Sequence, residues 1–228
     1  ATGHAVTGAG SVDIVDIEAT PTADLSAIDT DLTIDLETDG RSGGIVLDSA
    51  ANIDVADDKT LTVTSDSGGP DVLDVTDATF EVSDATGSEG AVVVEADTNL
   101  KMTAAQATGH AVSGAGSVDI VDIESTLDAD LSAIDTDLTI DLEADGRNSD
   151  IVLGSANIDV AADKTLTVTS GSGATDVLDV TAATFEVSDA SGNEGAVVVE
   201  ADTKLKLTAE QATGHAVSGA GSVDIVDI

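Results

Sequence analysis

The sequence predicts an all-β fold: a parallel β-solenoid (β-helix) of roughly 20-residue coils, about five to each repeat of roughly 106 residues. Three observations predict it. A long repeat and a shorter one are nested in the chain, apolar residues alternate with polar ones at period two, and the apolar residues are nearly all aliphatic, with Phe80 and Phe185 the sole aromatics. A coil this short cannot bury its apolar face alone, but stacking it on the next makes a thin continuous core that suits Val, Ile, Leu and Ala.

The long repeat is read first. Ala1-Thr2-Gly3-His4-Ala5-Val6 returns at Ala107 and at Ala212. Copy one is 1–106, copy two is 107–211, and 212–228 begins a third. The first two agree at about 86 of 105 aligned positions, with one residue deleted near Ala50 or Ala51. The boundary AAQATGHAV has no Pro- or Gly-rich linker, so a continuous solenoid is expected, cut inside a repeat from a longer array.

Within a copy, five units follow one another: AVTGAGSVDIVDI from Ala5, LSAIDTDLTIDLE from Leu25, IVLDSAANIDVAD from Ile45, VLDVTDATFEVSD from Val72 and VVVEADTNLKMTA from Val92. Their starts are spaced by roughly 20 residues, with one longer step of roughly 27 between the third and fourth. Each has an apolar first segment, a small or acidic break, then an alternating second segment such as Leu32-x-Ile34-x-Leu36, Ile53-x-Val55, Phe80-x-Val82 or Leu100-x-Met102, and alternation at this period marks a strand. The longer unit adds Leu61-x-Val63, expected as an extra strand or an extended corner. GRSGG (40–44), SDSGGP (65–70) and ATGSEG (85–90) have turn composition. Only Leu100 to Ala107 could form a short helical turn, ended by Gly109. About eleven coils at roughly 4.8 Å each would give a rod of roughly 50 Å.

The alternative is a string of tandem β-sandwich domains, since a repeat of about 106 residues has an ordinary domain length. The inner repeat, the shortage of aromatics and the missing linker oppose it.

Composition excludes several functions. Asp and Glu number 45 against 7 Lys and Arg, a net charge of −38, yet 41% of residues are hydrophobic and mean hydropathy is +0.17. Disordered acidic chains lack that much aliphatic residue. The charge repels nucleic acid and anionic membrane surfaces, and no apolar run approaches the roughly 18 residues needed to span a bilayer. The absence of Cys rules out disulfides, a thiol nucleophile and Cys-based metal sites. Surplus carboxylate is also a signature of halophilic or marine proteins. Like charges on coils about 4.8 Å apart repel by roughly 0.9 kcal/mol in water, so salt or divalent ions are expected to stabilise the stack.

Calcium is the first candidate ligand, because Asp outnumbers Glu by 34 to 11 and short carboxylates suit oxygen-ligand loops. Neither the G-G-x-G-x-D nonapeptide nor an EF-hand loop is present. Copy two replaces Asp48, Asp57, Asp66 and Asp77 by Gly154, Ala162, Gly171 and Ala182, which removes those four from any repeated site. Carboxylates present in both copies include Asp29/Asp135, Asp31/Asp137, Asp71/Asp176, Asp74/Asp179, Asp84/Asp189 and Asp97/Asp202. These twelve are the metal candidates, with turn-forming and solvated outer positions as the competing role. His4, His110 and His215 recur once per copy, about five coils or roughly 24 Å apart, too far for one metal, and read as turn residues. A glycosidase pair would be a unique constellation, whereas this chain renews its side chains copy by copy, and no G-x-S-x-G, H-E-x-x-H, Walker or Rossmann pattern occurs. No catalytic or cofactor-binding residue is assigned, no cofactor is required apart from the calcium considered above, and no enzyme is expected.

The segment LKMTAAQATGHAVSGAGSVDIVDI (100–123), returning as LKLTAEQATGHAVSGAGSVDIVDI (205–228), resembles the LTxAQAxGxxVxGxGxVxI phrasing of very large, repetitive, secreted bacterial proteins, among them adhesin-like and matrix- or filament-forming polypeptides. The resemblance implies an extracellular or cell-surface location and a structural, non-enzymatic role in a fibre, sheath, surface layer or biofilm matrix. Self-association into filaments, end to end or laterally, is the expected partnership. The alternative is a cation-dependent adhesin or carbohydrate-binding module that holds calcium or a surface polysaccharide on its outer Asp positions.

Overall fold

Alternating residues send every second side chain to one face of a strand, and the register between strands then decides whether those side chains form rows. In a computed structural model, which describes residues 3–36, 44–65, 71–84, 89–142, 150–171, 175–190 and 193–227, they do. The protein is all-β, with long parallel sheets of many strands. It divides into two compact units, Ala1–Met102 with His110–Val118 and Thr103–Gly109 with Asp119–Ile228.

In the first unit the main ladder runs through Val6–Ile14, Ile28–Asp35, Thr60–Thr64, Ala91–Val94 and the start of Val112–Val121. Val12 pairs with Leu32, Leu32 with Leu61, Leu61 with Val92 and Val92 with Val112. Two residues on, Ile14, Ile34, Val63 and Val94 form a second row. From Leu32 and Ile34 onward every member of these rows is buried, each contributing about 1.5–3 kcal/mol of apolar burial. A second ladder joins Ile45–Val46, Asp71–Asp74 and Thr98–Thr103, with Ile45, Leu73 and Leu100 in line. A third joins Asn52–Val55 to Thr79–Val82, seating Ile53 on Phe80 and Val55 on Val82.

The second unit repeats the plan. Leu138, Leu166, Val197 and Val217 form one row. Ile151, Leu178, Leu205 and Val223 form another, and Ile158 pairs with Phe185 in the third ladder. Parallel pairing throughout, broken among the described residues only by the antiparallel pair Asp189–Ala190 with Asn193–Glu194, is not that of antiparallel sandwiches.

The register corrects the expected coil. The steps Val12 to Leu32 and Val92 to Val112 have the expected length, but Leu32 to Leu61 and Leu61 to Val92 are about half as long again. The physical reason is the third ladder: Asn52–Val55 and Thr79–Val82 are separate segments the chain traverses before returning to the main ladder. Four steps of unequal length therefore replace the five units expected, all but one of them about 20 residues long. Of the two expectations for Leu61-x-Val63 the extra strand is the one found, since Thr60–Thr64 sits mid-ladder between Ile28–Asp35 and Ala91–Val94 and is no corner.

Leu100 and Met102 lie in a strand, and the helical turn begins only at Ala104–Ala107, after Thr103, whose side chain and that of Gln106 cap it reciprocally. Ala209–Ala212 repeats this with Thr208 and Gln211. Gly109 at φ 79 follows the first helix, in the conformation that glycine adopts freely. The helices are short, and none among the described residues is long and apolar enough to cross a membrane. Residues 40–43, 66–70 and 85–88 of the three Gly-rich turn segments lie outside the described residues.

Candidate functional site

The twelve candidate carboxylates divide into three environments. Asp29, Asp135, Asp84 and Asp189 are exposed. Asp31 and Asp137 are also exposed, but each accepts a hydrogen bond from the backbone N–H of the next strand, Thr60 at 3.1 Å and Thr165 at 2.9 Å. Asp97 and Asp202 are exposed turn residues at φ 62 and 63, and all seven non-glycine residues with positive φ among those described are Asp. An Asp side chain tolerates this region through local hydrogen bonding, which accounts for its surplus over Glu.

The remaining four correct the expectation that Asp fills only turns and outer positions. Asp71 and Asp176 are 0% and 1% exposed. Each carboxylate accepts a hydrogen bond from a serine six residues earlier, Ser65 or Ser170. Their backbone N–H groups donate to the carbonyls of Asp97 and Asp202 at 3.0 Å. So the left-handed turn residue of one step orients the strand that bears the buried carboxylate.

Asp74 and Asp179 are nearly buried and bear the densest polar contacts. Asp74 Oδ1 accepts from the Thr76 N–H at 3.0 Å and hydroxyl at 2.6 Å, while Lys101 Nζ lies 3.1 Å from its Oδ2. Asp179 repeats the set with Thr181 at 3.0 and 2.6 Å and Lys206 at 2.7 Å. Burial pushes both carboxyls up, but these hydrogen bonds and the ammonium charge outweigh it and hold both below the ordinary carboxylate value. Lys206 is correspondingly raised, first by its hydrogen bond from Nζ to Asp179 and then by that carboxylate's charge.

Sequence reasoning missed two features. His110 Nδ1 lies 2.8 Å from Glu89 Oε1, and His215 repeats the contact with Glu194 at 2.9 Å, a pairing that no spacing rule announced. The T-x-x-Q capping boxes were visible in the sequence, and the second has a further role: Gln211 Nε2 donates to the Val180 and Ala183 carbonyls at 2.8 and 3.0 Å. Beside it lies an open groove of about 560 Å³ lined by Phe185, Thr184, Thr208, Gln211 and His215.

Chemically, each constellation closes on itself. The buried carboxylates are satisfied by hydroxyl, amide or ammonium donors of their own unit, and the same set recurs in the other copy. The twelve candidates are not drawn together: among the described residues no group of three or more His, Asp or Glu is placed to hold a metal ion. Comparison with protein-family models, with curated proteins and with solved structures finds no match to the chain.

Proposed function

We propose that the chain is a structural, non-enzymatic β-solenoid segment of an extracellular fibre, sheath, surface layer or biofilm matrix. The observation that supports it is the repetition of ladder contacts rather than of a site: the aliphatic rows, the buried Asp–Ser pairs and the Asp–Lys pairs all recur from copy to copy in the same register. Parallel ladders place backbone hydrogen bonds along the stacking direction, where they resist extension together. In this reading copies one and two form one continuous run of coils, with 212–228 starting a third. The likeness of 100–123 and 205–228 to large secreted bacterial proteins supports the location.

Two measurements test it. Oriented films of the protein should diffract at about 4.8 Å along the stacking axis. An antibody against the chain should label filaments outside intact source cells. Label confined to the cell interior would overturn the reading.

A further inference from the structure

Where the loop after the turn Ile17–Ala19 meets the strand Ile45–Val46, the first unit holds an open groove of about 400 Å³. Three stretches of the chain line it: Pro21, then Val46, Leu47, Asp48 and Ser49, then Asp77. The backbone brings them together, because the Asp48 N–H donates to the Pro21 carbonyl at 2.8 Å and Val46 is the register partner of Asp74, three residues before Asp77. Val46 is 57% exposed and Leu47 is fully buried, so an apolar wall stands over an apolar floor. Asp48 and Asp77 are exposed carboxylates beside that wall. Asp48 is steadied there, its Oδ1 accepting from the Ser49 hydroxyl at 3.1 Å and the Ala50 N–H at 3.2 Å.

The corner belongs to the repeat and not to an end of the chain. In copy two Leu127, Val152, Leu153, Gly154, Ser155 and Ala182 occupy the same positions, and Val152 is 54% exposed although chain precedes and follows it. The two copies agree at about 86 of 105 aligned positions, yet three of these six residues differ and both carboxylates are lost together. The turn that Asp48 steadies survives the exchange. Asp128 Oδ1 accepts from the Ser155 N–H at 2.8 Å and hydroxyl at 3.0 Å, and a Cβ on Gly154 would lie 2.5 Å from that oxygen. Folding therefore does not require the acid pair of copy one, and variation on a fixed scaffold is the mark of a binding face in repeat architectures.

We propose that the groove of copy one takes a lysine side chain of a partner polypeptide. The aliphatic stem lies along Pro21 and Val46 above Leu47, and the ammonium donates to the carboxylates of Asp48 and Asp77. Charge and shape select this occupant together. A chain at −38 attracts cations over its whole surface, but a cation with an apolar stem gains from the wall as well. Lys101 shares a row with Val46 but does not line the groove, since Asp74 between them pairs with its ammonium at 3.1 Å. The site goes beyond the structural role proposed above and stands without it.

Copy two is a control inside the same molecule. The full chain, labelled at its valine methyls, is titrated with N-acetyl-lysine methylamide in about 0.15 M salt, where charges more than about 8 Å apart are largely screened. The Val46 methyls should shift saturably, at a concentration at least about tenfold below any response at Val152, the scale of two exposed ion pairs. N-acetyl-norleucine methylamide keeps the stem without the ammonium and should shift neither. Asp48→Gly with Asp77→Ala gives copy one the residues that copy two already carries and should reduce the Val46 response to that of Val152. Asp77→Ala alone leaves the Asp48 turn intact and should weaken binding about fivefold. Equal responses at Val46 and Val152 would overturn the site in favour of general attraction to an acidic chain. Binding of the norleucine probe, undiminished binding to both variants, or no shift at Val46 would overturn it as well.

Discussion

Lys206 Nζ lies 2.7 Å from Asp179 Oδ2, and the two residues are register partners on neighbouring parallel strands, so the ion pair runs along the ladder. Asp224 is the partner of Lys206 on its other side. The row thus alternates in sign where an all-carboxylate row would repel, and like charges directly opposite one another destabilise a sheet. In the first unit Lys101 stands beside Asp74 in the same way. With 7 basic residues against 45 acidic ones, placing cations inside the rows relieves repulsion where the spacing is shortest.

Asp179→Asn should cost about 1–2 kcal/mol at pH 7, the scale of a charged hydrogen bond in a nearly buried place, read by urea unfolding. The pH dependence of that difference identifies its source. Asp179 is held below its ordinary value, so its contribution is complete above the unfolded carboxylate pKa of about 3.9 and is lost as pH falls through the lower folded value. Lys206 is raised, so its contribution is complete below the unfolded lysine value of about 10.4 and is lost as pH rises through the folded one. The gap between wild type and variant should therefore be flat from about pH 5 to 9 and close on either side. A gap unchanged at pH 2 would contradict the pairing.

Ile34 is fully buried between Ile14 and Val63 in its row. Ile34→Val should cost about 1 kcal/mol and Ile34→Asp at least about 4, because the carboxylate would enter an aliphatic row. Limited proteolysis should then cut Ile34→Asp within the first unit. Unchanged protease resistance would remove Ile34 from the core.

The strands and their inward residues were legible in the sequence, because period-two alternation in Leu32-x-Ile34 or Ile53-x-Val55 leaves one face for burial. The path between ladders was not. Ile53-x-Val55 and Leu61-x-Val63 have the same pattern, and nothing local says that the first belongs to a third ladder while the second rejoins the main one; that depends on which distant strand each meets. The candidate carboxylates show the same limit. Comparison of the copies removes Asp48, Asp57, Asp66 and Asp77, but Asp71 and Asp97 look alike in sequence, and only the fold separates a buried hydrogen-bonded acid from a left-handed turn residue.

Asp97 offers a direct test of turn former against cation ligand. At φ 62 with an exposed carboxylate, it is there for its backbone. Asp97→Asn and Asp97→Gly should leave stability within about 0.5 kcal/mol, while Asp97→Ala should cost about 1–2 kcal/mol for forcing a residue without a local hydrogen-bonding side chain into the left-handed region. Thermal melts with and without calcium decide the matter, since a ligand would make Asp97→Asn destabilising in calcium alone.

Net charge makes the last prediction. A chain at −38 whose rows are closely stacked should gain stability from screening, so its melting temperature should rise between 0.01 and 1 M NaCl, where the Debye length falls from about 30 to 3 Å. Screening acts on any exposed pair, whereas a built site acts through one ion. Because no three of the described acidic or histidine residues are placed to hold a metal, a chelator at constant ionic strength should leave the melting temperature where it was. A drop on chelation, restored by calcium but not by sodium, would instead show that a divalent ion is bound, and Asp29, Asp84 and their copy-two equivalents Asp135 and Asp189 would be the first to substitute, since their side chains are exposed.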